Sequence, residues 1–340
     1  MKRPVQADVR VYLFTYRRHD LLPRALDSLL QQTHKNWICE LHNDEPSDPF
    51  PEQLVKRIRD PRLVYVHHPQ NLGAVDSFNL AFQPVSEKFV SILEDDNWWE
   101  SDFLASMLKH MEQHSLVQIA WANMWLVREA ADGTWQRDGS IWSATQGEEV
   151  QLFQQATPQQ VCGALHSNGA MLIRVSSGTM FTVPRSLPFF AIEPVRERAY
   201  PGPLLLASRP LANFAITRAS ARGETADENM QVLVLLAQTF LAHNDVSAAF
   251  YRSLWTVSRG SLGHKHRALT VAAILSGRFF QLLKAARLRD LVLVAAWALR
   301  HPIRFRALFK ARERFPEVLV FLDKASGSRA SKADDGKFVG

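Results

Sequence analysis

Apolar runs recur at a regular spacing near the start of the chain, and this spacing constrains the fold more than any other feature. Runs rich in β-branched and aromatic residues begin at Val9, Trp37, Leu63 and Lys88, so successive starts lie 28, 26 and 25 residues apart. Each interval has room for one helix between two strands, as in repeated β-α-β units. Because such crossovers are right-handed, the pattern predicts a mostly parallel α/β sheet flanked by helices.

Local signals place several elements on this framework. Between the first two runs, Asp20 is a candidate N-cap, Pro23 lies in the first helical turn, and leucines follow at helical spacing. Further helices are predicted over residues 74–82 and from Ser101, as the cap, to about residue 114. A strand at 117–127 and another at 134–142 are expected to form a hairpin through Asp132-Gly133.

An acidic motif follows the fourth apolar run. Glu94, Asp95 and Asp96 stand together, directly before the two indoles of Trp98 and Trp99. Adjacent carboxylates repel one another unless a cation lies among them, and a hard divalent cation prefers oxygen ligands. The carboxyl ends of parallel strands face the crevice where open α/β sheets bind ligands. The motif therefore indicates a metal–diphosphate site, and a solvated acidic turn is the alternative.

Two other loops are expected at the same edge of the sheet. The first strand is followed by Thr15-Tyr16-Arg17-Arg18, and the second by His42-Asn43-Asp44-Glu45. Arginine side chains suit phosphates, and a carboxylate such as Asp44 suits a hydrogen-bond donor of a base or ribose. Together with the acidic motif, these loops favour a sugar nucleotide as ligand. A solvated loop is the alternative for the two arginines.

The order of five motifs resembles the family 2 inverting glycosyltransferases of the GT-A fold. The motifs are Thr15-Tyr16-Arg17-Arg18, Ser28 with Gln32-Thr33, Asn43-Asp44 with Ser47-Asp48, Asn71 with Gly73 and Asn79, and Leu93-Glu94-Asp95-Asp96-Asn97-Trp98-Trp99. The resemblance covers roughly residues 7–115 well and 160–228 loosely.

This resemblance implies roles for individual residues. Asp44 matches the acid that binds the nucleotide base, and Glu94 and Asp96 match the outer positions of a metal-binding Asp-x-Asp, with Asp96 as the direct ligand of Mg²⁺ or Mn²⁺. The remaining expected substrate contacts are Thr15, Tyr16, Arg17, Arg18, Asn71, Gly73, Asn79, Asp95, Trp98 and Trp99. One of the two indoles is expected to be a core residue, and a helix cap with a turn glycine is the alternative for Asn71, Gly73 and Asn79. Asn43 and Glu94 depart from the family pattern, because an Asp is common at the first position and expected at the second.

The catalytic base is less closely defined by the resemblance. An inverting transfer needs a carboxylate that takes the proton of the acceptor hydroxyl. Glu193 matches the first residue of the family's acid pair, and Pro194 replaces the second. Glu197 is the second candidate, with pairing to its flanking arginines as the alternative reading. Asp227 and Glu228 remain open.

Other residues are expected to have ordinary roles. Histidines 42, 67, 68 and 166 lack metal-ligand spacing, and ordinary loop or core positions are expected for them. Cys39 and Cys162 are expected to be buried thiols in a reducing compartment. The first residues lack an apolar signal core, so a cytoplasmic location is expected.

Positive charge is concentrated near the C-terminal end. Residues 259–314 contain 13 Lys and Arg against two acids, a net charge of +11, which leaves −5 for the rest of the chain. The segment is helix-prone, and its longest apolar run is nine residues against the roughly 20 needed to span a bilayer. It suits peripheral attachment to an anionic membrane surface, and a solvated helical subdomain is the alternative. Nucleic acid is disfavoured as a partner because no recognisable binding module accompanies the charge.

These observations predict a GT-A catalytic domain over residues 1–228, a basic helical region over 229–324 and a disordered tail over 325–340. The expected function is metal-dependent inverting transfer of a sugar from a nucleoside-diphosphate sugar to an acceptor hydroxyl. Surface polysaccharide or lipid-linked saccharide synthesis is the expected setting. A catalytically silent nucleotide-sugar-binding module is the alternative. A sugar nucleotidyltransferase is disfavoured, because no Gly-rich phosphate loop follows the first strand.

Overall fold

A computed structural model describes residues 7–142, 148–154, 157–175, 181–200, 202–218, 226–259 and 264–335. The chain divides into two compact units. The first unit comprises Met1–Gln155, His166–Thr182 and Tyr200–Arg222, and the second comprises Ala156–Leu165, Val183–Ala199 and Gly223–Gly340.

The first unit is built on a mixed sheet. Its strands are β1 (Val9–Thr15), β2 (Trp37–Asn43), β3 (Leu63–His67), β4 (Phe89–Glu94), β5 (Trp98–Trp99), β6 (Ile119–Glu129), β7 (Trp135–Ser140), β8 (Val150–Phe153), β9 (Met171–Arg174) and β10 (Leu204–Ile216). Its helices are α1 (Leu22–Leu30), α2 (Phe50–Ile58), α3 (Gly73–Leu80) and α4 (Phe103–Gln113). Across the described residues the strand order is β3-β2-β1-β4-β9-β6-β10-β5, with β7 beside β6 and β8 beside β10.

The parallel half of the sheet matches the prediction from spacing. Strands β2 and β4 both pair in parallel with β1, and β3 pairs in parallel with β2. The later strand β9 is antiparallel to β4 and β6, so the complete sheet is mixed. The predicted hairpin is also present, because β6 and β7 pair antiparallel around a turn with Gly133 at φ +81°.

The two faces of β1 and β2 differ in chemistry. Val11, Leu13, Cys39 and Leu41 are fully buried in the apolar core, where the face of α1 that carries Leu26 also lies. Each of these Val and Leu side chains contributes about 1.5–3 kcal/mol by leaving water. The opposite face of β2 carries Ile38, Glu40 and His42, because side chains alternate along a strand.

Both predicted side-chain caps are wrong. Helix α1 begins after Leu21 without a side-chain cap, because the amides of Leu21 and Leu22 donate to the carbonyl of Arg18. Helix α4 begins after Asp102, and the carbonyl of Ser101 instead accepts a hydrogen bond from the amide of Thr33. Backbone turns thus precede both helices.

The second unit is helical in its described residues. Its helices are α5 (Pro158–Val161), α6 (Ile192–Glu197), α7 (Ala226–His243), α8 (Ala248–Arg259), α9 (His264–Leu275), α10 (Phe279–Ala285), α11 (Leu288–Arg300), α12 (Pro302–Phe309), α13 (Ala311–Arg314) and α14 (Pro316–Asp335). Within the helix-prone basic segment, α9 and α10 are separate helices, because Gly277 adopts φ +71°, which ends a helix readily.

The compact units and the predicted domains are bounded at different residues. The first unit ends at Arg222, the predicted catalytic domain ends at 228, and the stretches 156–165 and 183–199 group with the helical unit. Helix α14 continues to Asp335, which places helix within the segment expected to be disordered, and alanines with high helix propensity occur there. Residues 336–340 lie outside the described residues. Within the described ranges, the helices fall short of the length and hydropathy that a bilayer crossing requires.

Candidate functional site

The loops after β1 and β4 meet through the carboxylate of Asp95. The backbone amide of Tyr16 donates to Asp95 Oδ2 over 3.2 Å, and the hydroxyl of Thr15 also hydrogen-bonds to this carboxylate. Burial and the neighbouring charge of Asp96 raise the pKa of Asp95 to about 7, against the two hydrogen bonds, which lower it. Asp95 therefore ties the loop after β1 to the acidic motif.

The outer acids of the motif differ in their surroundings. Glu94 Oε2 accepts a hydrogen bond from Asn97 Nδ2 over 2.6 Å, and Gly169 packs against it so closely that a Cβ there would lie 2.6 Å from Glu94 Oε2. Asp96 is half-buried. Within the described ranges, His, Cys, Asp and Glu do not form a group of three that could hold a metal ion. The half-buried carboxylate of Asp96 is an oxygen donor of the kind that Mg²⁺ takes as a ligand.

Arg24 of α1 contacts the loop that carries the acidic motif. Its guanidinium lies 3.8 Å from the ring centroid of Trp98 and 4.0 Å from that of Trp135, and its Nη2 donates to the carbonyl of Asp96 over 2.8 Å. Burial lowers the pKa of Arg24 to about 10, while Asp96 raises it. Arg24 was not predicted as a site residue, because no local pattern links a helix residue to a loop 72 positions later.

The two indoles of the motif are engaged within the protein. Trp98 is half-buried against Arg24 and meets Trp135 edge to face. Trp99 is 3% exposed, stacks on Phe103 and donates from Nε1 to the carbonyl of Gly169 over 2.8 Å. Trp99 is thus a core residue, and Trp98 packs against Arg24 and Trp135.

Asp44, in the loop after β2, contacts the residues at the start of α3. Its Oδ1 accepts from the amide of Leu72 over 2.7 Å, and its Oδ2 accepts from the amide of Gly73, at φ +76°, over 2.9 Å. Asn71 Nδ2 donates to the carbonyl of Asp44 over 3.0 Å. The structure therefore brings Asp44, Asn71 and Gly73 together. Asn79 lies further along α3 and is half-buried.

The two arginines after β1 have different environments. Arg17 is exposed, adopts φ +56° and pairs with Glu45 over 2.5 Å. Hydrogen bonds from Ser47 and from Arg17 lower the pKa of Glu45. Arg18 is half-buried, and its charge acts on Asp95. Arg18 therefore interacts with the acidic motif, whereas Arg17 pairs with Glu45.

Two histidines expected to be ordinary connect to Asp44. His68 Nδ1 lies 3.2 Å from Asp44 Oδ1, and His68 Nε2 lies 3.0 Å from His42 Nδ1. His42 Nε2 in turn lies 3.2 Å from Glu40 Oε2. The alternation of Glu40, His42 and Asp44 could have revealed part of this chain of contacts, because a strand puts alternate residues on one face.

The candidate bases lie in the second unit. Glu193 is in the first turn of α6 and half-buried. Glu197 is 1% exposed, and its Oε2 accepts from the amide of Leu165 over 2.8 Å. Burial lowers the pKa of Arg198 to about 10, although the charge of Glu197 raises it.

The remaining candidates, Asp227 and Glu228, contact Arg304 and Arg314, over 3.1 and 3.2 Å. Glu193 is thus more exposed than Glu197, which is almost fully buried. Asp227 and Glu228 belong to ion pairs between helices.

Loops at the carboxyl ends of parallel strands, an acidic motif and a mixed α/β sheet are features of the GT-A fold. Residues 11–166 match the family model described as glycosyl transferase family 2. This part of the chain is a family 2 glycosyltransferase domain.

Comparisons with individual proteins agree with this assignment. WcaA of Escherichia coli K12, a glycosyl transferase assigned provisionally to colanic acid biosynthesis, is 29% identical over 116 residues, which cover 34% of this chain and 42% of WcaA. WfaP of Escherichia coli, named a UDP-Glc:α-D-GlcNAc-diphosphoundecaprenol β-1,3-glucosyltransferase, is 21% identical over 121 residues, 36% of this chain and 47% of WfaP. The chain therefore spans less than half the length of these two curated relatives.

A solved structure extends the similarity of fold along most of the chain. Residues 1–349 of TarS from S. aureus superpose with a TM-score of 0.54 and 12% identity, over 96% of this chain and 92% of that chain. At this identity the superposition concerns the fold alone.

Proposed function

We propose that this chain is a metal-dependent, inverting glycosyltransferase that moves a sugar from a nucleoside-diphosphate sugar to an acceptor hydroxyl. The observation that carries the proposal is the meeting of the β1 and β4 loops through Thr15, Tyr16 and Asp95, with Asp96 alongside. This is the sheet edge where open α/β folds bind nucleotides. The same S. aureus fragment has been solved with UDP and with UDP-GlcNAc, which supports a nucleotide-sugar donor.

In this proposal Asp96 holds Mg²⁺ or Mn²⁺, and Glu94 orients the loop. Glu94 is already bonded to Asn97 and packed against Gly169, so Asp96 is the better ligand. Asp96 would hold the ion, which when bound would offset negative charge on the leaving group. Asp44 accepts a hydrogen bond from the nucleotide, and Arg18 attracts its phosphates.

Glu193 is the proposed base. It would take the proton of the acceptor hydroxyl while that oxygen attacks the anomeric carbon from the face opposite the diphosphate. Glu193 is preferred to Glu197, because the carboxylate of Glu197 is almost fully buried and bonded to the backbone at Leu165.

The acceptor is proposed to be a growing polysaccharide or a lipid-linked saccharide. The names of WcaA and WfaP, one tied to colanic acid biosynthesis and the other to a diphosphoundecaprenol-linked acceptor, support this class. A lipid-linked acceptor is presented at a membrane, so the enzyme is expected to have a surface that binds one.

An apolar stripe on α11 supports peripheral attachment to an anionic bilayer at its cytoplasmic face. Leu288, Val292, Leu299 and, at the start of α12, Ile303 are 78%, 56%, 84% and 85% exposed. On α11, Leu288, Val292 and Leu299 lie four and seven residues apart, and therefore share one side of that helix. Within the described part of the chain, the exposed cations Lys284, Arg289, Arg300 and Arg306 form no ion pair. Such cations each add about 1 kcal/mol near anionic lipid.

Vesicle sedimentation tests the attachment. The double variant Leu299→Ser with Ile303→Ser should fold normally, because both side chains are exposed, and should lose binding to vesicles rich in anionic lipid. Leu116→Ser is the matched control, since Leu116 is 85% exposed in the first unit. Equal binding by the double variant and the control would contradict attachment through α11.

A donor screen tests the enzymatic proposal. Thermal unfolding is followed with Mg²⁺ or Mn²⁺ and each common nucleoside-diphosphate sugar, and at least one donor should raise the melting temperature only when metal is present. A catalytically silent module would show the same stabilisation without turnover. Stabilisation by none of the donors would contradict nucleotide-sugar binding itself.

A further inference from the structure

The acidic motif lies in a turn that is closed by both a backbone and a side-chain hydrogen bond. Glu94 and Asn97 flank the acids Asp95 and Asp96. The backbone amide of Asn97 donates to the carbonyl of Glu94 over 3.2 Å, and Asn97 Nδ2 donates to Glu94 Oε2 over 2.6 Å. Both bonds join the same two residues, so the conformation of the acids between them depends on both.

Asn97 also ties this turn to a distant strand. Its Oδ1 accepts a hydrogen bond from the backbone amide of Ala215 in β10 over 2.9 Å, and its side chain is 1% exposed. A backbone amide can only donate, which makes Oδ1 the acceptor and leaves Nδ2 for Glu94. Because the amide group is planar, these two bonds fix its orientation.

Gly169 packs against this pair from another part of the chain. It belongs to a 3₁₀ turn, Asn168–Ala170, directly before β9, and its carbonyl accepts from Trp99 Nε1 over 2.8 Å. A Cβ at Gly169 would lie 2.6 Å from Glu94 Oε2 and 2.9 Å from Asn97 Nδ2. Carbon atoms in van der Waals contact are about 3.5–4.0 Å apart, so these side chains would have to move by roughly 1 Å.

Glycine is needed at this position for space and not for backbone conformation. The φ of Gly169 lies outside the left-handed region, so an alanine can adopt it. The atoms nearest to the missing Cβ belong to side chains and not to backbone. The fold should therefore tolerate Gly169→Ala, while the carboxylate and the amide that close the turn are displaced.

The length of Glu94 matches the space that Gly169 leaves. The aspartate expected from the family pattern is one methylene shorter, and its carboxylate would end up to roughly 1.5 Å, one C–C bond, short of the present position. The contact with Asn97 Nδ2 would then exceed the limit of about 3.2 Å for an N–H···O hydrogen bond. The extra methylene of Glu94 and the missing Cβ of Gly169 therefore belong to one arrangement.

We infer that Gly169 and Asn97 are positioning residues, which hold Glu94 as a clamp on the turn that presents Asp96. The inference rests on the proposed function in one respect, namely that Asp96 holds Mg²⁺ or Mn²⁺ with the donor diphosphate. Glu94 acts by accepting a hydrogen bond and not as a ligand of the ion. Opening the clamp should weaken metal binding by about 10–100-fold, the range for groups that hold metal ligands in place.

Electron paramagnetic resonance of Mn²⁺ measures metal binding without turnover. The full chain is titrated with Mn²⁺ in the presence of UDP, GDP, CDP, ADP or dTDP, and Gly169→Ala should bind Mn²⁺ about 10–100-fold more weakly than the wild type. Gly163→Ala is the matched control, because a Cβ at Gly163 would lie 3.6 Å from Lys265 Nζ, an ordinary contact. Equal affinities of Gly169→Ala and Gly163→Ala would overturn the inference.

A double variant separates action through the clamp from independent damage. Glu94→Asp and Gly169→Ala each open the same clamp, so their losses of Mn²⁺ affinity should not multiply. The double variant should bind within about threefold of the weaker single variant. Losses that multiply would show that Gly169 does not act through Glu94, and the inference would fail.

The chemistry of the side chain distinguishes a clamp from a metal ligand. Glu94→Gln retains an oxygen that can accept from Asn97 Nδ2, and should bind Mn²⁺ within about fivefold of the wild type. Glu94→Leu has a similar volume without an acceptor, and should show the same loss as Gly169→Ala. A loss for Glu94→Gln as large as that for Glu94→Leu would show that Glu94 ligates the ion, which contradicts the clamp.

Melting temperatures test the clamp independently of the proposed function. Gly169→Ala should lower the melting temperature, and Glu94→Asp should lower it less in the Gly169→Ala background than in the wild type, because the shorter side chain gives the new methyl group room. Additive shifts would overturn the clamp. Failure of the wild type to bind Mn²⁺ with any of the five nucleotides would contradict the proposed function and the role in metal binding, while the melting temperatures would still decide whether Gly169 and Glu94 are coupled.

Discussion

Arg24 donates a hydrogen bond from its Nη2 to the backbone carbonyl of Asp96 over 2.8 Å, while its guanidinium contacts the indoles of Trp98 and Trp135. Replacing it by methionine keeps an apolar stem but removes the donor and the cation–π contacts. The free energy of unfolding should fall by about 1–3 kcal/mol, and turnover should fall because the acidic loop is less well held.

Arg57→Met is the control for this variant, since Arg57 is exposed on α2. Urea unfolding and donor turnover are measured for both variants. If Arg24→Met behaves like Arg57→Met in both assays, Arg24 does not brace the loop.

Asp44 should affect both stability and nucleotide affinity. Its carboxylate accepts hydrogen bonds from the amides of Leu72 and Gly73, so Asp44→Ala should lower the free energy of unfolding by about 1–3 kcal/mol. The same change should weaken nucleotide binding by about 1.5–3 kcal/mol. Sequence reasoning alone assigns only the second effect. Asp27→Ala, at an exposed position of α1, controls for the loss of a charge. Calorimetry that shows unchanged nucleotide affinity would contradict the proposed role.

Features that are encoded within a few neighbouring residues could be predicted from the sequence, and features that depend on distant residues could not. Strands β1 to β4 and the hairpin through Gly133 were predictable, because alternation, spacing and turn residues are encoded within a few residues. The caps were not, because a preceding backbone turn satisfied the first amides of α1. The grouping of 156–165 and 183–199 with the helical unit depends on packing between distant segments, which leaves no local pattern.

The same reasoning applies to the candidate site. The motif residues Asp44 and Gly73 were both expected to contact the substrate, and the structure joins them directly. The contacts of Arg24 with Asp96 and of His42 with His68 span 72 and 26 positions, and neither has a spacing rule. Long-range side-chain partners therefore required the folded structure.

The two candidate bases should respond differently to the same change. Glu193→Gln keeps the side-chain volume and removes the proton acceptor, so transfer should slow by about 10²–10⁴ with donor binding and melting temperature retained. Glu197→Gln should instead lower the melting temperature, because Glu197 is buried and bonded to the amide of Leu165. Normal transfer by Glu193→Gln would show that the base is another residue.

A buried ion pair in the second unit should make stability depend on pH. Arg259 donates from two nitrogens to Asp290, over 3.1 and 2.6 Å, and the amide of Arg287 donates to Asp290 Oδ2. The hydrogen bond from Arg259 lowers the pKa of Asp290, although desolvation opposes it. A lowered pKa stabilises the fold above the unfolded value of about 3.9, and this contribution is lost as the pH falls through the folded value.

Asp290→Asn should therefore cost about 1–3 kcal/mol at pH 7 and clearly less at pH 3. Asp245→Asn is the control, since the side chain of Asp245 is 94% exposed and its pair with Arg278 should contribute little. Urea unfolding at both pH values provides the comparison. A cost for Asp290→Asn that is the same at pH 3 and pH 7 would contradict the ionic role of this side chain.

The most direct test of metal-dependent sugar transfer follows nucleoside-diphosphate release by ³¹P NMR, from the donor that stabilises the protein best. The wild type should release the diphosphate with Mg²⁺ or Mn²⁺ and stop when EDTA removes the metal, and Asp96→Asn should be slower by orders of magnitude while retaining its fold. Release that persists in EDTA, or an Asp96→Asn protein as active as the wild type, would contradict the account.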